Sequence, residues 1–368
     1  MHFGRNELLA WVAVLIAAPA ARAQGPPAPI EIVLVDAKAA TSAAVAEWKK
    51  EGFKGVAIVL DDQTSEADYR EPIRRVSEAG LDHYYWIEVG RNPTMATKNP
   101  RWMAALGAHQ DWQTRFPKFP EPSVGEVAKA FLWVPIVYQE AFDAHLARID
   151  QLLKRAPGGW RGLLLNDLQG GPSSCGCGNI QCRWAVDYYM PPTATKIAGD
   201  DVAARFVSEV RKRVGDKSVI PIWTTECEDV DLPSDKHDGL PSTGLCGTVG
   251  CGKSACPEAF ANQWSALQQA QNGPTGLLTV HASLQRTRPE FGGGPGWLTN
   301  SIGYLNRTLL ARGGKAFPSR QLWAVVDGTQ KAEEAAARKI GAAAGVGAVI
   351  VARVKIDQSY EPKAIRTN

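Results

Sequence analysis

The chain has 368 residues, with 41 lysines and arginines against 38 aspartates and glutamates and a formal net charge of +3. So small a balance over this length, with no basic run or stripe, argues against nucleic acid as a partner. A hydrophobic content of 45% is that of a folded globular chain rather than a disordered one.

Residues 1–23 read as an export signal: Arg5 in a short polar start, an apolar stretch from Leu8 to Ala18, and Ala21-Arg22-Ala23 before Gln24 as a small-residue cleavage site. That stretch falls short of the ~20 residues needed to span a bilayer and no later run reaches that length, so no membrane span is expected in the mature chain. The expected location is secreted or periplasmic. A Pro-rich linker, 24–29, leads into the remainder, long enough for one large barrel or two average domains.

From Ile30 onward, short β-branched runs alternate with amphipathic helical stretches. Eight runs are expected as strands: Ile30 to Asp36, Gly55 to Asp61, His83 to Val89, Gly162 to Asn166, Ser218 to Thr224, Gly276 to His281, Gln321 to Asp327 and Gly347 to Val354. Helices are expected over Thr41 to Glu51, Pro72 to Ala79, Ala141 to Arg155, Asp201 to Val214, Pro257 to Gln271, Trp297 to Arg312 and Gln330 to Ala344. Continuous apolar strands are buried on both faces, and eight βα units predict a (β/α)8 TIM barrel spanning 30–356. No strand leads into a glycine-rich dinucleotide loop, which disfavours an open doubly wound sheet. The tail, 357–368, carries Pro362 and is too short and polar for an eighth helix.

Two connections are oversized: Gly90 to Glu140, rich in aromatic residues, and Glu226 to Cys256, rich in Gly, Pro and Asp. Both follow C-terminal strand ends, the face on which such barrels build active sites, and long loops in compact domains are commonly lids or binding loops.

Polar residues gather at those same strand ends. They include Asp36, Asp61 and Asp62, Glu88, Asn166, Asp167 and Gln169, Glu226, His281 and Asp327. Several carboxylates converging on one mouth raise each other's pKa and oppose stability, so a scaffold has no need of them. For any single one the plainer reading is an ion pair that caps a loop. Paired carboxylates across a sugar-sized cleft are the means of glycoside hydrolysis, one donating a proton and the other acting as nucleophile or as base for water. Asp167 and Asp327 are the natural opposed pair, with Glu226 as an alternative for either. Asn166, Gln169, Asp61, Asp62, Glu88 and His281 are candidate substrate-binding groups, and Trp133 and Trp223 candidate stacking platforms for sugar rings.

At these residues the chain resembles sugar-cleaving barrel enzymes, many of which carry the proton donor in an Asn-acid dipeptide ending strand four and the nucleophile ending strand seven. Asn166-Asp167 and Asp327 occupy those places. That group uses glutamate at both, and aspartate's shorter side chain widens the gap between the carboxyls. The resemblance implies a carbohydrate substrate.

All seven cysteines lie between Cys175 and Cys256: Cys175, Cys177, Cys182, Cys227, Cys246, Cys251 and Cys256. Export favours disulfides, and an odd number leaves one sulfur unpaired, bonded to another chain or bound to a metal. Structural zinc held by three or four thiolates is the alternative, and no other cofactor is expected. In either form the cluster is expected to clasp the loops after the fourth and fifth strands. Cys175-x-Cys177-x4-Cys182 also looks like the Cys-rich segment after strand four in some uncharacterised exported proteins related to sugar hydrolases, with a different spacer.

Other chemistries find less support. Gly247-x4-Gly252-Lys253-Ser254 satisfies the phosphate-loop pattern, but the turn-rich Leu240 to Leu245 supplies no buried strand to deliver it, so nucleotide binding is not expected. A serine-hydrolase elbow, a zinc-protease helix and a haem-attachment motif are all missing. Two further readings stay open: a non-catalytic barrel that binds glycan or cell-surface material, and a metal-dependent hydrolase using Asp61, Asp62, Asp167 and His281.

Overall fold

The computed structural model describes residues 28–104, 116–166, 168, 197, 202–222, 319–328, 345–354 and 361–366, together with 334, 335, 338, 339 and 342. Its central sheet has seven strands, all parallel: β1 (Ile30–Val35), β2 (Gly55–Val59), β3 (Asp82–Glu88), β5 (Gly162–Asn166), β6 (Ser218–Pro221), β7 (Trp323–Asp327) and β8 (Ala348–Ala352). Their order is β6-β5-β3-β2-β1-β8-β7, so the last strand pairs with the first and the sheet curls into a barrel. The two strands left at the edges, β6 and β7, flank in sequence the expected strand Gly276 to His281, which lies outside the described residues. Among the described residues the fold is thus an incomplete, open (β/α)8-type barrel.

Side-chain alternation divides the strands into two apolar layers. Ile32, Leu34, Ala57, Tyr84, Trp86, Leu164, Ile220, Trp323, Val325 and Ile350 form a cluster without any helical residue, which is the barrel interior. Tyr84 and Trp323 meet edge-to-face inside it, with ring centroids 5.8 Å apart. As in other such barrels the interior is a packed core rather than a pore, so a ligand must sit above it, at the mouth. The intervening residues, such as Val33, Ile58, Tyr85, Leu163 and Val351, pack against the helices.

Helix α1 (Ser42–Lys50) follows β1 and is capped by the Thr41 hydroxyl, which accepts from the Ala44 N–H. Helix α2 (Glu66–Glu78) begins six residues before the expected start at Pro72. Its signal is a capping box, in which Ser65 and Asp68 each satisfy the other's backbone N–H. Pro72 sits inside the helix with its ring buried, and packing there outweighs the hydrogen bond that its missing N–H forgoes. Helices α4 (Gln139–Arg155) and α5 (Val202–Val214) fall within two residues of expectation. Residues 334, 335, 338, 339 and 342 are helical, as expected for Gln330 to Ala344, whereas Pro257 to Gln271 and Trp297 to Arg312 lie outside the described residues.

The long connection after β3 is structured. It holds helix α3 (Pro93–Lys98), a single 3-10 turn (Pro100–Trp102) and strand β4 (Glu126–Phe131). Strand β4 pairs antiparallel with β9 (Glu361–Arg366), a strand formed by the residues expected to be only a tail. A two-stranded ribbon tolerates Pro362 because it lies next to the end of β9, where one missing N–H breaks little of the ladder. Lys363 adds a contact over the Phe131 ring, 4.9 Å from its centroid.

Among the described residues no disulfide bond is present, which overturns the expected disulfide clasp; all seven cysteines, and with them the alternative zinc, lie outside those residues. Among the described residues no helix is long and apolar enough to cross a membrane.

Candidate functional site

The interior rows of the barrel end in polar groups. Along β3, Tyr84 and Trp86 are followed two residues on by Glu88; along β5, Leu164 is followed by Asn166. The two stand level in the register of the parallel pair. Beyond β1 and β2 the same alternation brings Asp36 and Asp61 to the rim. Four of the polar groups expected at the mouth therefore come from the first three strands and β5.

Glu88 is held from two sides. Its Oε1 accepts from Trp86 Nε1 at 2.8 Å, and its Oε2 accepts from Asn166 Nδ2 at 2.9 Å. Such doubly bonded carboxylates are fixed in orientation before any ligand arrives. Asn166 is 1% exposed, and its Oδ1 is buried with no hydrogen-bond partner. An orphaned amide oxygen of this kind costs about 1–3 kcal/mol and is retained where a donor from outside satisfies it.

Asp61 is partly committed to its loop, because its Oδ1 accepts from the N–H groups of Gln63 and Thr64 at 2.8 and 2.7 Å. Tyr69 steadies the same turn: its hydroxyl donates to the Val59 carbonyl and accepts from the Asp61 N–H. The neighbouring Asp36 is exposed overall, yet partial desolvation of its carboxyl and the Asp61 charge raise it above the ordinary carboxylate range, Lys38 pulling the other way. A carboxyl that keeps its proton more readily is suited to the acid's part in acid–base chemistry.

Two expected site residues belong elsewhere. Asp62 turns to the outer layer, where its Oδ2 accepts from Arg148 Nε at 2.6 Å and Arg155 stands 3.9 Å from its Oδ1. It is a loop-to-helix ion pair and not a rim group, because Arg148 extends from α4 and also grips the Glu88 carbonyl at 2.8 Å. Trp133 is fully buried in the outer apolar layer, so no ring face is open for stacking. Leu132, at a φ of 83°, turns the chain there, and Trp133 bridges to Arg91 while the Val134 N–H donates to the Gly90 carbonyl.

Asp327 ends β7, level with Ala352 of β8. Asp167, Gln169, Trp223, Glu226 and His281 lie outside the described residues, as does the segment Gly247 to Ser254. Among the described residues no group of three or more His, Cys, Asp or Glu is arranged to hold a metal ion.

Two histidines that sequence reasoning passed over are buried in the outer layer. His83 is 2% exposed, stacks edge-on against Tyr85 at 4.5 Å, and has no hydrogen bond at either ring nitrogen. Burial lowers it to about 4. His145 is lowered to about 3 by burial, its Nε2 lying 2.8 Å from the Val134 carbonyl oxygen. Neither faces the mouth.

No protein-family model and no curated protein sequence matches the chain. Solved structures with partial likeness include tryptophan synthase from M. tuberculosis, at a TM-score of 0.36 and 11% identity over 89% of this chain and 83% of that one. An alpha-amylase from Lactobacillus plantarum has a TM-score of 0.40 and 12% identity over 90% and 72%. The carboxyl transferase domain of Rhizobium etli pyruvate carboxylase has 0.41 and 9% over 88% and 40%. These values bear on neither substrate nor mechanism.

Proposed function

We propose that this chain is an exported carbohydrate-active enzyme, a glycoside hydrolase working through carboxylates at the C-terminal face of its barrel. The observation that carries the reading is the rim itself: Glu88 fixed by Trp86 and Asn166 at the end of β3, with Asp36 and Asp61 just beyond the ends of the neighbouring β1 and β2. Carboxylates brought to one rim oppose stability, and a sugar's hydroxyls are donors that such groups accept from. The Asn166 Oδ1, buried and unbonded, asks for the same kind of donor.

In this reading Asp167 donates the proton to the leaving group and Asp327 acts as nucleophile or as base for water, with Glu226 as the alternative for either. Asp36, its carboxyl raised, is the second candidate for the acid. Glu88, Asn166, Gln169, Asp61 and His281 hold hydroxyls, and Trp223 offers a ring face. Export rests on the pattern of residues 1–23.

A screen of the purified protein against polysaccharides and aryl glycosides identifies the substrate. On that substrate Asp167→Asn should lower kcat by roughly 10²- to 10⁴-fold, the usual worth of a positioned acid, with the thermal unfolding midpoint nearly unchanged. Full activity in the variant would remove Asp167 from the mechanism.

One observation favours a second reading. Both places at which the related enzymes carry glutamate hold aspartate here, as suits a barrel that binds glycan without cleaving it. Glycan binding by calorimetry with no hydrolysis of the bound glycan would select that reading.

A further inference from the structure

Beside the mouth, on the outer side of β2 and β3, lies a cavity of about 430 Å³. Its walls come from the loop after β2, from α3 with its following turn, and from α4. The volume is within the range of small-molecule sites.

The walls carry three cations, Lys98, Arg148 and Arg155, against one carboxylate, Asp62. Arg148 and Arg155 spend part of their bonding on Asp62, on its carbonyl and on those of Glu88 and Thr64. One positive charge is thereby neutralised and two remain. Lys98, exposed at the last turn of α3, has no hydrogen bond or ion pair with any described residue, and Arg148 Nη2 bonds to none either. Cations gathered with a deficit of anions in a concave site attract a negatively charged ligand.

The remaining lining narrows the ligand. Trp102 is half-buried and packs against the main apolar layer, presenting part of a flat ring to the cavity. The side chains of Thr94, Asn99 and Gln151 make no hydrogen bond to any described residue, so their donors and acceptors are available to hydroxyl groups. An inorganic anion would use the cations and leave the ring and the amides idle.

We propose that this cavity binds an acidic sugar, its carboxylate on Lys98 and Arg148, its ring on Trp102 and its hydroxyls on the amides. The proposal extends the carbohydrate reading of the adjacent mouth and makes uronate-containing saccharides the substrate class. Arg148 joins the two sites, since the same guanidinium that lines the cavity grips the backbone at Glu88.

Isothermal titration of the full chain with glucuronate, glucose and inorganic phosphate tests it. Glucuronate should bind at least about tenfold more tightly than either of the others, because only it engages the cations and the ring together. Lys98→Glu and the milder Lys98→Gln, on an exposed side chain, should both keep the parent unfolding midpoint. The first should weaken glucuronate binding about tenfold or more and the second by less. Trp102→Ala should weaken glucuronate while leaving phosphate unchanged. Absence of glucuronate binding, equal affinity for glucose or phosphate, or an unchanged affinity in Lys98→Glu would overturn the proposal. A protein that cleaves a neutral glycan yet fails to bind glucuronate sinks the cavity and spares the mouth. One that binds glucuronate and cleaves nothing does the reverse.

Discussion

Charge is concentrated in two regions of this barrel, and the two treat it in opposite ways. In the outer layer, Glu31, Glu51 and Glu334 surround Arg338 and Arg353. Arg353 Nη2 reaches Glu51 at 2.6 Å and Glu334 at 3.1 Å, and Arg338 pairs with Glu31 and Glu334. Both guanidinium groups also lie over the Phe53 ring, at 4.6 and 5.2 Å from its centroid. At the mouth, by contrast, Asp36, Asp61 and Glu88 follow neighbouring strands; an indole and an amide donate to Glu88, backbone N–H groups donate to Asp61, and Lys38 acts on Asp36. Opposite charges interleaved in an apolar layer hold elements together. In the proposed reading, carboxylates oriented by indole, amide and backbone donors keep a geometry available to a ligand.

Exchanging a carboxylate for its amide in each region separates these roles. At the rim, Glu88→Gln keeps the shape but presents an N–H₂ to one of two donors, and should lower kcat/KM on the identified glycan by about 10²-fold. The midpoint of unfolding should move little, because the remaining carbonyl oxygen still accepts from one of these donors. Unchanged activity in this variant would make Glu88 a structural residue and return the rim to the same class as the outer layer.

Glu334→Gln in the outer layer should do the opposite. The Glu334 side chain is 6% exposed, and removing its charge leaves Arg338 and Arg353 sharing two acids in place of three. Breaking a buried pair in this way costs about 3–5 kcal/mol, read as a lower denaturant midpoint, with activity per folded molecule preserved. A neutral result would mean that the network is no more than surface charge.

His83 carries the comparison to pH. Its folded pKa of about 4 lies below the unfolded value of 6.5, so the unfolded chain binds the extra proton between those values. Stability should therefore be complete above about pH 6.5 and fall as pH drops towards 4, by at most about 1.4 kcal/mol per pH unit. His83→Phe keeps the edge-on contact with Tyr85 and has no ring nitrogens to leave unbonded. Compared with the parent, it should lose less stability between pH 7 and pH 5. Equal losses would place the acid sensitivity in other groups.

The barrel was legible in the sequence because its strands are buried on both faces. Apolar runs such as Leu163 to Leu165 and Val349 to Val351 read as strands whatever the neighbouring loops do. The rim was legible for a related reason: alternation carries Glu88 and Asn166 onto the same face as Trp86 and Leu164. What escaped is set by partners distant in the chain. Asp62 looks like a rim carboxylate until Arg148, 86 residues on, claims it. The strand at Glu361–Arg366, with its proline and three charges, has no sheet pattern of its own and takes its form from β4. Trp133 reads as a platform on a long loop, and only the turn at Leu132 shows that it is folded back into the core.

The smallest effect tests the comparison most directly, because it asks whether the rim carries a cost in the absence of ligand. Asp36 is raised by partial desolvation and by Asp61, so its ionised form is less comfortable in the folded chain than in the unfolded one. A carboxyl with a raised folded pKa holds its proton over a range in which the unfolded chain has already released it, and stability falls as pH rises through that range. Asp36→Asn removes the penalty while keeping the side chain's size. It should stabilise the chain at pH 7 by less than about 1 kcal/mol, since solvent screens so exposed a group, and the gain should fade below about pH 4. A loss of stability at pH 7 would instead show that Asp36 is held by attraction, chiefly to Lys38, and that the first strand contributes a paired charge to the rim like those of the outer layer.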